Sequence, residues 1–162
     1  MYWLNIEKVN LNNKISLDEV KEFLRRFDLD LDKNVDYTLV IRENGIIKAT
    51  ASKSKSVLKC FAISKELQGE GISNKLITAL NDKLFEEGIY HSFVFTKPNN
   101  IELFTNMGYK LVAEGMGVIL LENGIYDINK YLKGIIKNHN IDINKKHSAL
   151  VMNSNHLTEG HI

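Results

Sequence analysis

Apolar positions along this chain change period several times, and each change marks an element. Leu17, Val20, Leu24 and Phe27 recur at helical spacing and give a first helix one apolar face. Ser16 precedes this run and Glu19 stands three residues later, so the spacing predicts a capping box at the helix start. A short strand over residues 2–9 comes before it. Asp28-Leu29-Asp30-Leu31-Asp32 ends the helix. The segment lacks the glycine and terminal glutamate of an EF-hand loop and reads as a solvated acidic loop.

The pattern then turns β-rich. Residues 37–42 and 46–52 flank Asn44-Gly45, the strongest short-range signal for a hairpin. Lys53-Ser54-Lys55-Ser56 reads as a polar turn, and residues 57–63 as a third antiparallel strand. Ile72, Leu76, Ile77, Leu80, Leu84 and Phe85 return to helical spacing, and Gly88 ends that helix. Residues 90–96 read as a strand, so strand, helix and strand form a βαβ-like unit.

Pro98-Asn99-Asn100 starts a shorter helix with Ile101, Phe104 and Met107 inward and Gly108 at its end. Two strands follow, over 109–113 and 118–121, before Asn123-Gly124 breaks the chain. A helix is expected over 126–137, with Leu132, Ile135 and Ile136 inward, then a polar linker over 138–147 and the apolar run Ala149-Leu150-Val151-Met152. The expected class is α+β, with a central, mostly antiparallel mixed sheet flanked by helices.

Composition narrows the possibilities. A chain of 162 residues fits one domain and a short appendage. A net charge of +1 without a Lys/Arg block does not favour nucleic acid. No apolar run approaches the roughly 18 residues of a membrane span. One cysteine, Cys60, excludes an internal disulfide and suits a cytoplasmic location; inside an apolar run it reads as a small buried hydrophobe. The five histidines have no metal-ligand spacing, so no metal is expected.

The chemistry concentrates in Gln68-Gly69-Glu70-Gly71-Ile72-Ser73, between a strand and a helix. Two glycines allow a tight turn with exposed N–H groups, and the helix adds its unpaired first donors and the positive end of its dipole. Such a junction holds an anion, and a phosphate fits best. Glu70 counts against this, since a carboxylate beside a diphosphate repels it unless it points outward.

This stretch resembles the Gln/Arg-x-x-Gly-x-Gly/Ala signature of the GNAT acetyltransferase superfamily, with Ser73 in the last place. The family's second signature, an apolar helix ending in glycine and an aromatic residue, resembles Ile101 through Gly108-Tyr109. The resemblance spans residues 1–123. It implies a GNAT fold and an acyl-CoA-binding domain with N-acyltransferase activity, its cofactor acetyl-CoA or a CoA-like ligand. The 68–73 backbone (Gln68, Gly69, Glu70, Gly71, Ile72, Ser73) would grip the pyrophosphate. Phe61, Ala62 and Ile63 would pair with the pantetheine amides, and Asn99 and Asn100 would touch the cofactor arm. The family often places a carboxylate base on the strand before the loop and a tyrosine acid four residues before the closing glycine. This sequence has no carboxylate over 57–63 and has Phe104 in the tyrosine's place. Tyr109 and Cys60 occupy typical core positions, so no catalytic residue is assigned.

The tail carries a second resemblance. Thr158-Glu159-Gly160-His161 is similar to the Thr/His-x-Gly-His motif after the first strand of adenylyltransferase domains. A GNAT-like domain (1–123), a helix and linker (124–147) and this tail (148–162) together resemble the start of the citrate lyase ligase family. That resemblance implies the alternative of a non-catalytic module recognising the CoA-like arm of the citrate lyase acyl carrier protein. The sequence ends one residue past His161, so Thr158, Gly160 and His161 are expected to complete no nucleotide site.

Overall fold

The computed structural model describes residues 4–69 and 71–124, together with Ile136. Glu70, the motif residues Thr158, Gly160 and His161, and (Ile136 apart) the helix expected over 126–137 lie outside the described residues. The chain divides into two units, 1–127 and 128–162, and every element named below lies in the first.

Strand β1 is Ile6–Lys8, followed by helix α1, Lys14–Arg25. The α1 cap differs from the expected capping box. Asn13, not Ser16, is the N-cap, and its side chain accepts the Ser16 N–H at 3.2 Å. Glu19 is thereby released to make a two-pronged ion pair with Arg42, both contacts at 2.6 Å, which ties α1 to the sheet. The Arg42 hydrogen bonds outweigh a small burial penalty and hold the Glu19 carboxyl below its ordinary value.

Strands β2, Tyr37–Glu43, and β3, Ile46–Ser54, form the expected hairpin, with Asn44 and Gly45 both at positive φ as a type I′ turn requires. Strand β4, Val57–Ile63, completes the antiparallel run. A 3₁₀ turn at Lys65–Leu67 leads into α2, Ile72–Glu86. Gly88 at φ 78° closes α2 in a Schellman arrangement: the Ile89 N–H reaches the Leu84 carbonyl and the Gly88 N–H reaches that of Phe85. Strand β5, His91–Thr96, a 3₁₀ turn at Pro98–Asn100 and the short α3, Ile101–Thr105, follow. Strands β6, Lys110–Gly115, and β7, Val118–Gly124, end the described domain in a second type I′ hairpin at Met116 and Gly117. Asn123 and Gly124 are therefore strand residues and not the expected chain break.

The seven strands lie in one sheet, in the order β1-β2-β3-β4-β5-β7-β6. Every pairing is antiparallel except β4 with β5, where the βαβ unit requires a parallel pair. One core cluster gathers α2 and α3 residues with Leu39, Ile41, Leu58, Val94 and Leu121. A second packs Val20, Phe23 and Leu24 of α1 on Val40, Ile47, Cys60 and Ala62. The α2 stripe faces the core as expected, except for Phe85, which is 61% exposed. Its ring instead packs on Tyr90 outside, 5.3 Å between centroids.

Lys53, read as part of a polar turn, is a strand residue with a fully buried side chain. Its Nζ contacts Asp36 at 2.7 Å and Glu87 at 2.6 Å, joining the start of β2 to the end of α2. Burial opposes its charge, but the two carboxylates outweigh that and raise its pKa above the ordinary lysine value. The charge-dependent stability is therefore complete below the unfolded value, about 10.4, and is lost as pH rises through the higher folded value. Lys53→Met should unfold at lower urea, with a loss of about 1–2 kcal/mol because the partners keep some solvent. Wild-type stability should fall more steeply above about pH 10.4 than that of the variant.

Candidate functional site

Strands β4 and β5 pair only at Val57↔Phe93 and Leu58↔Val94. Beyond Leu58 they part, and the cause lies in β4 itself. On the β3 side, Thr50 faces Ala62 and Ser52 faces Lys59, so Ala51 alone stands opposite both Cys60 and Phe61. This is a β-bulge, and the extra residue bends the strand at the point where it leaves its neighbour. Cys60 adopts φ 55°, a left-handed conformation costing about 1 kcal/mol outside glycine.

The end of β4 and the turn that follows β5 border a cleft of about 330 Å³. Phe61, Ala62, Ile63, Gln68, Ser73, Asn99 and Asn100, singled out separately in the sequence, all line it. Gln68 donates from its side chain to the Ile63 carbonyl at 3.1 Å, fixing the turn against the end of β4. Gly69 and Gly71 lie at φ 86° and 76°, conformations that favour glycine. Gly71 is the N-cap of α2, so the helix opens directly from the loop. The Ile72 side chain turns into the core, leaving its main chain at the helix start. Asn100 donates to the Thr96 hydroxyl at 2.8 Å, and Asn99 is exposed. The start of α2, the end of β4 and the β5–α3 turn thus converge on one groove.

A second cleft of about 420 Å³ adjoins it and shares Leu29, Phe61 and Lys97 with it. Its floor includes Cys60, Phe95 and Val118, and its rim carries Asp28, Asp30 and Asp32. The aspartates of the acidic segment are solvated as expected, and they also border this cleft. Leu29 and Leu31 pack toward the α1 core while the alternating aspartates stay exposed, and Asp32 pairs with Lys59. The aspartates were read in the sequence as solvated and not as part of a cleft, and Lys97 was not singled out there. The alternation of Asp and Leu was the available signal for the former.

A family model described as an acetyltransferase (GNAT) domain matches residues 12–126. The chain belongs to the GNAT acetyltransferase family. A citrate (pro-3S)-lyase ligase from Klebsiella pneumoniae is 32% identical over 152 residues, 93% of this chain, and the chain spans only 44% of that relative. An acyl-CoA N-acyltransferase structure from Pseudomonas aeruginosa superposes with a TM-score of 0.62 at 11% identity, covering 75% of this chain and 100% of that one. A GNAT acetyltransferase from Elizabethkingia anophelis with acetyl-CoA bound gives 0.53 at 13%, covering 75% and 98%.

Within this GNAT domain Phe104, Tyr109 and Cys60 are all packed side chains. Phe104 is 1% exposed, edge-on to Phe61 and Tyr109 at 5.4 and 5.7 Å. The Tyr109 hydroxyl is buried against Ser92 at 2.9 Å and Asn81 at 3.0 Å, and burial raises its pKa. It lines neither cleft. Burial likewise pushes the Cys60 thiol up, and its Sγ donates to the Asp30 carbonyl at 3.3 Å. Among the described residues no cluster of three or more His, Cys, Asp or Glu side chains is placed to hold a metal, and no helix is long and apolar enough to cross a membrane.

Two outcomes follow from this geometry. Iodoacetamide should alkylate Cys60 at pH 7 more slowly than a free thiol, with thiolate formation midpoint displaced upward, as peptide mass spectrometry across pH would record. Gly71→Ala should cost about 1 kcal/mol in urea unfolding through backbone strain alone, since an added Cβ meets nothing within 4 Å.

Proposed function

We propose that the groove between β4 and β5 binds acetyl-CoA or a closely related acyl-CoA, and that the adjoining cleft admits the acyl acceptor. The observation that carries this reading is the meeting of two backbone features in one cleft: β4 past Leu58, where its pairing with β5 ends, and the glycine-flanked start of α2. A pantetheine arm offers amides that a strand edge takes as it would another strand. A diphosphate offers charge that helix N-terminal N–H groups take. Gln68, Gly69, Gly71, Ile72 and Ser73 would hold the diphosphate, Phe61 to Ile63 the pantetheine, and Asn99 and Asn100 the far wall. The acetyl-CoA held by the Elizabethkingia structure supports the choice of ligand.

In acyl transfer, an acceptor amine attacks the thioester carbonyl, the C–S bond breaks, and a proton moves from the amine toward the departing thiolate. No carboxylate stands on β4, and Phe104 has no proton to give. Those two facts favour a second reading, in which the domain is a recognition module. The likeness to citrate lyase ligase supports a partner for it, the CoA-like arm of the citrate lyase acyl carrier protein.

Calorimetry with CoA, acetyl-CoA and the carrier protein tests the shared part of both readings. Saturating CoA near a hundredfold over Kd should stabilise the fold by about 2.7 kcal/mol, and binding by none of the three would sink the assignment. CoA release from acetyl-CoA over an amine panel then separates them. Turnover supports transfer, while binding without turnover supports recognition.

A further inference from the structure

Two charge patterns meet along this groove. Among the described residues lining the cleft at the start of α2, Lys97 alone carries a charge. The adjoining cleft is lined by Asp28, Asp30, Asp32 and Lys59, and again by Lys97. Lys59 is held by Asp32. Lys97 therefore stands where the two clefts join, beside Leu29 and Phe61. From the end of β5 it reaches across to the chain beyond α1, where its Nζ donates to the Phe27 carbonyl at 2.5 Å. That partner is neutral and the lysine is exposed. The ammonium–carbonyl bond has only one charged partner, whereas an ammonium–phosphate pair adds attraction between two opposite full charges. A phosphate in the same cleft would therefore outcompete a lone carbonyl for this ammonium.

We propose that Lys97 is an anion-binding residue of the groove, leaving the Phe27 carbonyl to pair with a diphosphate oxygen of a CoA-type ligand. The inference rests on the reading of the groove as a CoA site and adds a full positive charge, which backbone amides do not supply. Lys97 lines both clefts.

CoA and pantetheine, which lacks phosphate, would be titrated calorimetrically into wild type, K97M and K97R at low and high salt. K97M should weaken CoA about tenfold, leave pantetheine unchanged and flatten the salt dependence of CoA binding. K97R should restore most of the CoA affinity. Methionine keeps the stem at an exposed position, and unchanged pantetheine binding itself reports a folded groove. Equal losses for both ligands, or no loss for either, would overturn the role of Lys97 and leave the groove assignment standing. Failure of the wild type to bind CoA would overturn both.

Discussion

Two parallel strands that begin paired and then separate leave main-chain groups in the middle of a sheet without their usual partners, and the rest of this domain is arranged around that separation. Backbone N–H and C=O groups are obligatory hydrogen-bonding groups. An extended, amide-bearing ligand at the parted edge of β4 would find there what a further strand would find. The separation is built into β4 by one extra residue at Cys60 and Phe61. Phe104, from α3, packs edge-on against Phe61 below the opening.

Rigidity at the margins makes the separation usable. Arg42 joins α1 to β1 and β2 through Glu19 and Glu7, and Lys53 joins the sheet to the end of α2. A groove bordered by strands and helix starts keeps its geometry better than one bordered by free loops. The flanking bonds tie α1 and α2 to the sheet, whose two faces carry separate core clusters, and Gln68 is tied to the end of β4.

In the proposed reading, binding and chemistry depend on different parts of the chain. Gripping a CoA-type ligand there would use backbone groups, supplied by strand separation and glycine conformation. Moving a proton requires particular side chains, and at the expected positions those are absent: Phe104 is a packed ring, and the Tyr109 hydroxyl is held in the core by Ser92 and Asn81. A fold of this kind can thus keep its groove while its reaction changes or disappears.

Local chemistry was legible in the sequence. Asn44-Gly45 specified its hairpin because few other residue pairs tolerate two positive φ angles. The glycines at 69 and 71 marked the loop, and the 3.6-residue period marked α2. Signals that depend on distant partners were not legible. Ser16 and Asn13 both suit a helix cap, and Glu19 was free for Arg42 once Asn13 had taken that role. Lys53 read as polar surface because its carboxylates lie 17 and 34 residues away. Phe85 read as core because periodicity does not show where a helix face runs out of sheet to cover. By itself the sequence determined the order of elements, the turns and the anion-type loop, all consequences of interactions within a few residues. The bulge that parts β4 from β5, the pairing of Lys97 with Phe27 and the acidic rim of the second cleft were decided only by tertiary structure, because each needs residues brought together across the sheet.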